Sequence, residues 1–210
     1  MANVLVIAPH PDDESIGCGG SLRLHALRGD RICVVFLTSG ELGLKSVRRE
    51  EAWRIRESEA EAAASVLGIA KTEFLRHPDG SVHEHLADCI ATVKSILRTE
   101  APGMLYVPHF AEWHPDHRAA ANIVREALAD PAIAAPHCRH FEIWTPLTTF
   151  DEVEDISATM EDKLKAIRCH QSQVADLAYD RAIAGLNQYR GLMGPRCEYA
   201  EAFQHGASGP

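Results

Sequence analysis

Ala2-Asn3-Val4-Leu5-Val6-Ile7-Ala8-Pro9-His10-Pro11-Asp12-Asp13-Glu14 is the stretch that decides the fold. Val4 to Ala8 is an unbroken apolar run of strand length, which reads as a buried strand. It empties at once into a loop holding an imidazole and three carboxylates. Carboxylates that close together repel one another and lose hydration unless a cation sits among them. A second cluster, His114-Pro115-Asp116-His117, supplies what the first lacks, and together they describe a three-ligand metal site of the catalytic type.

Outward from this run the chain alternates. Residues 31–37, 72–75, 103–107 and 140–144 read as further strands, the first of them full of β-branched and aromatic residues. Helices are predicted over 17–28, 45–67, 84–98, 116–129, 157–173 and 176–189, with Gly68 at the C′ position of the second. Strands alternating with helices of this length predict an α/β chain: a single-domain, Rossmann-like, doubly wound and mostly parallel sheet with helices on both faces. In the common winding order, strands one and four are neighbours where the winding reverses, and ligands bind outside their carboxyl ends. Both histidine motifs follow those two strands. The domain spans 1–205, and 206–210 reads as a flexible tail.

The bulk numbers narrow the classes. With 210 residues, 46% hydrophobic and 24% charged, the chain reads as one soluble domain able to bury its own core. A net charge of -9 opposes nucleic-acid binding, which needs a basic face. No apolar run approaches the roughly 20 residues of a membrane span, and the N-terminus lacks a basic segment before its apolar run, unlike a signal peptide. Cys18, Cys33, Cys89, Cys138, Cys169 and Cys197 form no Cys-x-x-Cys pair, which suits a reducing cytoplasm; Cys18 reads as a small buried apolar residue. Gly17-Cys18-Gly19-Gly20 follows the first strand but lacks the dinucleotide spacing, and the acids before it would repel a pyrophosphate. Close helix–sheet packing is the better use of those glycines.

Zinc takes imidazole and carboxylate donors, and its catalytic sites keep three protein ligands and one open position. Pro11 stiffens the loop so that His10 and Asp13 can converge on one ion while Asp12 points elsewhere, with His117 as third ligand. Two imidazoles and a carboxylate leave a dication one net positive charge, suited to polarising a carbonyl and acidifying water. Iron, cobalt or nickel fits the same set. Of Asp12 and Asp13, the one that does not bind is placed to act as general base, and spacing alone leaves open which that is. His114 is placed to donate to an oxyanion, and Asp116 to hold its tautomer.

Pro9-His10-Pro11-Asp12-Asp13-Glu14 before a Gly-rich helix start, with His114-Pro115-Asp116-His117 near the fourth strand, resembles the LmbE-like, or PIG-L, zinc-dependent N-deacetylases. The likeness covers nearly the whole chain: Leu37-Thr38-Ser39-Gly40-Glu41, Arg56-Glu57-Ser58-Glu59, Pro78-Asp79-Gly80 and Tyr199-Ala200-Glu201-Ala202-Phe203 resemble family segments, each weakly specific by itself. The resemblance implies His10, Asp13 and His117 as zinc ligands, Asp12 as base, His114 as oxyanion stabiliser and Arg56 as a substrate contact. It also implies a small N-acetylglucosamine-type aminosugar substrate, release of acetate, and assembly into homo-oligomers. From the residues alone, Arg56 and Glu59 read as an exposed i,i+3 ion pair.

Other readings of the same site are an amidase for a larger N-acyl or thiol-conjugate substrate and a non-catalytic metal- or sugar-binding module. Asp12 and His114, which ligation does not need, oppose the module. Specificity is assigned to the loops 40–45, 79–83, 110–113 and 145–157. Phe110, Trp113 and Trp144 are placed to stack on a sugar, and Glu112, if exposed at the mouth, to disfavour anionic substrates. His77, His83 and His85 read as loop or solvated residues, and His170 as a histidine that caps or packs a helix rather than lining the pocket.

Overall fold

In the computed structural model, which describes residues 1–206, the opening run is β1 (Asn3–Ala8), third in a seven-stranded sheet. Its residues divide between two cores: Val4, Val6 and Ala8 face one, Leu5 and Ile7 the other. That division is why the run shows no polar alternation. A turn leads to α1 (Asp13–Leu27), followed by β2 (Arg31–Thr38), α2 (Arg49–Leu67) and β3 (Lys71–His77). Then come α3 (Leu86–Glu100), β4 (Met104–Pro108), α4 (Pro115–Leu128) and β5 (His137–Phe141). The last third carries β6 (Glu152–Asp155), α5 (Met160–Cys169), the short α6 (Gln171–Val174), α7 (Tyr179–Met193) and β7 (Ala200–His205).

The sheet order is β3-β2-β1-β4-β5-β7-β6. The first five strands are parallel, and β7 runs antiparallel to both β5 and β6. Leu22, Leu67, Ile167 and Ile183 bring α1, α2, α5 and α7 to one face, and Val93 and Ile123 bring α3 and α4 to the other. The doubly wound reading therefore holds. Winding reverses between β1 and β4, paired through Val4↔Met104, Leu5↔Leu105 and Val6↔Tyr106, so the loops leaving these strands open side by side.

Two departures from the sequence reading matter for the site. The first helix begins at Asp13, not at residue 17, so the acidic loop ends inside its first turn. It is kinked at Cys18 (φ -141°), and the fresh helical amides of Gly20 and Ser21 each donate to the Glu201 carboxylate at 2.9 Å. Glu201 thus caps a helix restarted inside a Gly-rich run. Lys163 Nζ, fully buried, pairs with the same carboxylate at 2.6 Å. Gly17 is needed for fit: a Cβ there would lie 2.1 Å from Phe141.

The second departure is β6 and β7, which the sequence reading did not assign. The helix expected over 157–173 also breaks at His170, whose ψ of 59° is not helical. Of the expected tail at 206–210, only Gly206 lies among the described residues. No described helix is long and apolar enough to cross a membrane.

Candidate metal centre and active-site cleft

The loop after β1 adopts a backbone that its residues do not favour. Asp12 has φ +133°, where an L-residue is strained, and its neighbours hold it there. Its amide donates to Glu14 Oε2 (3.2 Å), its carbonyl accepts from the Ile16 amide (2.9 Å), and the Pro11 carbonyl accepts from Arg56 Nη2. Asp13 folds back onto the loop: its Oδ2 accepts from the His10 amide at 2.8 Å and lies 3.1 Å from His10 Nδ1. Asp12 instead meets Arg56 Nη2 at 3.2 Å and lines the cleft.

From the other side, α4 starts on Pro115 and carries His117, fully buried, in its first turn. His117 Nε2 lies 3.3 Å from His10 Nδ1 and 3.4 Å from Asp13 Oδ1. Donor atoms bound to one zinc at about 2.0–2.1 Å stand about 3.4 Å apart in a tetrahedron, which these separations match. Donor atoms of His10, His114 and His117 also lie within 4.8 Å of one another, as do those of His10, Asp79 and Asp116.

A carboxylate backs each of the two inner imidazoles. His10 Nε2 lies 3.1 Å from Asp79 Oδ1 and 3.3 Å from Asp116 Oδ2, so its proton belongs there and Nδ1 turns a lone pair inward. His117 Nδ1 faces Glu112 Oε2 at 3.5 Å, and neither atom has a closer partner among the described residues. Glu112 Oε1 accepts the amides of Ile143, Trp144 and Thr145 at 2.8, 3.1 and 3.2 Å. Metal-binding histidines are oriented in this way. His10 Nδ1, His117 Nε2 and the Asp13 carboxylate together offer the mixed nitrogen and oxygen donors that a divalent ion such as zinc takes, so the donor set fits such an ion.

The electrostatics separate the roles. Burial lowers the His10 pKa, but Asp116, Asp13 and Asp79 overcome it and leave the imidazole well above its ordinary value. For Asp13 burial acts upward, and His117 and His10 outweigh it, holding the carboxyl below the usual range. Asp12 goes the other way: burial drives it up to about 6 against the pull of Arg56. Burial also opposes the ionised forms of Asp79 and Glu112. His10 overcomes it for Asp79, and His109 and His117 for Glu112, so both end at about 2. His114 is lowered by burial and then by its two imidazole neighbours, so it is neutral. The Asp116 amide donates to its Nδ1 at 3.3 Å. An amide N–H only donates, so the His114 proton sits on Nε2.

Several sequence assignments need correction. The Asp116 carboxylate does not hold His114; it takes His10 and the amides of Gly80 (2.7 Å) and Val82 (3.1 Å), because the start of α4 is buried under the loop after β3. Arg56 is 2% exposed and forms no surface pair with Glu59, which instead accepts from the Ser172 amide and hydroxyl. Glu112 is 1% exposed, behind His117 and away from the mouth. Phe110 packs on His140 and Arg125, outside the cleft.

Trp113 and Trp144, ring centroids 6.3 Å apart, do line a cleft of about 580 Å³, joined by Gln173 and Tyr179 from the α6–α7 region, which the sequence reading had not placed there. Burial, followed by the charge of Asp12, raises Tyr179 to about 12, so it stands over the cleft as a neutral phenol. His170 is buried, its Nε2 3.7 Å from Glu14 Oε1, with no hydrogen-bond partner for either ring nitrogen among the described residues.

Known proteins resemble this chain in sequence and in fold. Residues 5–128 match the family described as PIG-L: GlcNAc-PI de-N-acetylase. The chain is 29% identical over 191 residues to the diacetylchitobiose deacetylase of Thermococcus kodakarensis, a match covering 82% of this chain and 70% of that one. The structure of N,N'-diacetylchitobiose deacetylase from Pyrococcus horikoshii matches with a TM-score of 0.85 at 27% identity, over 98% of this chain and 84% of that one. The 4-carboxy-2-hydroxymuconate hydratase of Pseudomonas putida shares the fold with a TM-score of 0.84 at 23% identity, over 98% of this chain and 96% of that one. The same frame therefore carries more than one chemistry, and the side chains must decide between them.

Proposed function

Because the chain belongs to the PIG-L de-N-acetylase family, we propose that it is a metal-dependent hydrolase removing the N-acetyl group from an N-acetylglucosamine-type sugar. One observation carries the reading. His10 Nδ1, His117 Nε2 and the two oxygens of Asp13 converge within 3.1–3.4 Å, while Asp12, the adjacent carboxylate, pairs with Arg56. Zinc is the ion this donor set suits best, and iron, cobalt or nickel fits the same donors.

When bound, the cation supplies polarisation of the acetyl carbonyl and acidification of water. The chain supplies the rest. Asp12 accepts the proton of the attacking water as the new C–O bond forms, and Arg56 keeps its carboxylate available for that proton. The His114 Nε2–H donates to the carbonyl oxygen as negative charge develops there. The C–N bond then breaks, Asp12 returns its proton to the departing amine, and acetate and the free aminosugar leave. Trp113 and Trp144 offer aromatic faces to the sugar ring, and the neutral Tyr179 hydroxyl a hydrogen bond. The six cysteines are all free thiols, which supports a reducing compartment as the working location.

The test is acetate release from a panel of N-acetylglucosamine derivatives, using metal-stripped protein before and after zinc is restored. The proposal expects release only with metal. Stoichiometric zinc without release from any acetylated sugar, but with cleavage of a larger N-acyl conjugate, would assign the site to another amide.

A further inference from the structure

Three strands end together at the side of the sheet remote from the cleft. His137 opens β5, Glu152 opens β6 and His205 closes β7. Because β7 runs antiparallel to both neighbours, these residues meet at the amino end of the parallel strands. The catalytic loops leave from the opposite, carboxyl end. The two clusters therefore share no side chain.

The three donor atoms lie within 4.8 Å of one another. Glu152 Oε2 hydrogen-bonds His205 Nε2 at 2.7 Å, a contact that an ion would replace, and lies 3.6 Å from His137 Nε2, and the two rings stand 4.6 Å apart at 73°. The His137 and His205 side chains are 47% and 38% exposed, so an ion reaches them without any opening of the fold. Glu152 is fixed and ionised. Burial acts against its charge, but His205 and Arg139 hold it below the ordinary carboxylate range.

Arg139 grips both Glu152 oxygens, Nε on Oε2 at 2.9 Å and Nη2 on Oε1, and also reaches Glu154 Oε2 through Nη2 at 3.1 Å. It stands behind the carboxylate as hydrogen-bonded partners stand behind metal ligands. Glu154 offsets its positive charge, and Asp151, which accepts the His205 amide at 2.8 Å, adds further negative charge nearby.

We propose that His137, Glu152 and His205 form a second metal site, taking a borderline divalent ion such as zinc, nickel or copper and tying the edge strand β6 to β5 across β7. Two imidazoles beside one carboxylate disfavour magnesium and calcium, which bind through oxygen. The ligands stand on three hydrogen-bonded strands, so their spacing is set by the ladder and not by a mobile loop.

The experiment is equilibrium dialysis of the full-length protein against zinc, with bound metal counted by elemental analysis, and Cu²⁺ electron paramagnetic resonance as a second probe. The expected result is two zinc ions per wild-type chain and one in His137→Ala/His205→Ala, with catalytic turnover unchanged. His205→Ala alone weakens the second site by at least about 10-fold. A copper spectrum of two-nitrogen coordination disappears with the double variant. A single ion per wild-type chain, lost in His117→Ala, overturns the proposal, and so does a second ion that survives removal of both histidines.

Discussion

Replacing Arg56 with Gln separates two roles for this side chain, substrate contact and control of Asp12. The guanidinium lies 3.2 Å from Asp12 Oδ2, with both side chains almost out of solvent. Two unit charges at that distance attract by about 5 kcal/mol at an effective dielectric of 20. Opposite charges this close lower a carboxyl pKa by about 1–3 units in practice, so removing Arg56 raises Asp12 by about 2. Asp12 stands at about 6 with Arg56 present. At pH 7 such a base is about 90% ionised, and near pKa 8 it is about 10% ionised, a loss of about 10-fold in kcat/KM. The loss is recovered by assaying about 2 pH units higher. A bound cation lowers both pKa values, so the displacement between wild type and variant is the quantity to read. The assay is the pH profile of kcat/KM for Arg56→Gln and Arg56→Lys, with metal content measured alongside. The acid limb should move upward in Arg56→Gln and largely return in Arg56→Lys. An unmoved limb with a raised KM and full metal would refute this reasoning and make Arg56 a substrate ligand.

The surrounding residues give three further expectations. Glu112→Gln, which removes the charge facing His117 Nδ1, should weaken metal binding about 10–100-fold in competition with a chelator while the fold persists. Gly17→Ala forces a methyl to within 2.1 Å of Phe141 and should cost about 1–3 kcal/mol in urea unfolding; at Gly103, where a Cβ meets nothing within 4 Å, the same change should stay within about 0.5 kcal/mol. Lys163→Met strands the buried Glu201 carboxylate and should cost about 3–5 kcal/mol, much of it recovered in Lys163→Met/Glu201→Gln.

The centre of the sheet was legible because β1 is apolar at every position from Val4 to Ala8, a pattern few other elements produce. The two motifs were legible because a strand that ends in His-Pro-Asp-Asp has little use for that charge without an ion. What lay beyond reach depended on distance in the chain. Nothing local tells that the Asp116 carboxylate crosses to His10, 106 residues away, or that Glu112 sits behind His117 and not at the mouth. Strand β6 is four residues, Glu152-Val153-Glu154-Asp155, with a composition that reads as a solvated loop. It is a strand only because β7 pairs with it through Glu152↔Phe203 and Asp155↔Ala200. Likewise the kink of α1 at Cys18 is held by Glu201, 180 residues from Ser21, which caps the restarted half of the helix.

The division of labour between two adjacent carboxylates is the central claim, and Asp12→Asn measured against Asp13→Asn tests it most directly. Both variants should be prepared with zinc and assayed for bound metal and acetate release. The account predicts that Asp12→Asn keeps one ion at the His10 and His117 site and loses about 10²–10⁴ in turnover, while Asp13→Asn loses the ion itself. Near-normal turnover in metal-loaded Asp12→Asn, or loss of metal in that variant with metal retained in Asp13→Asn, would contradict it.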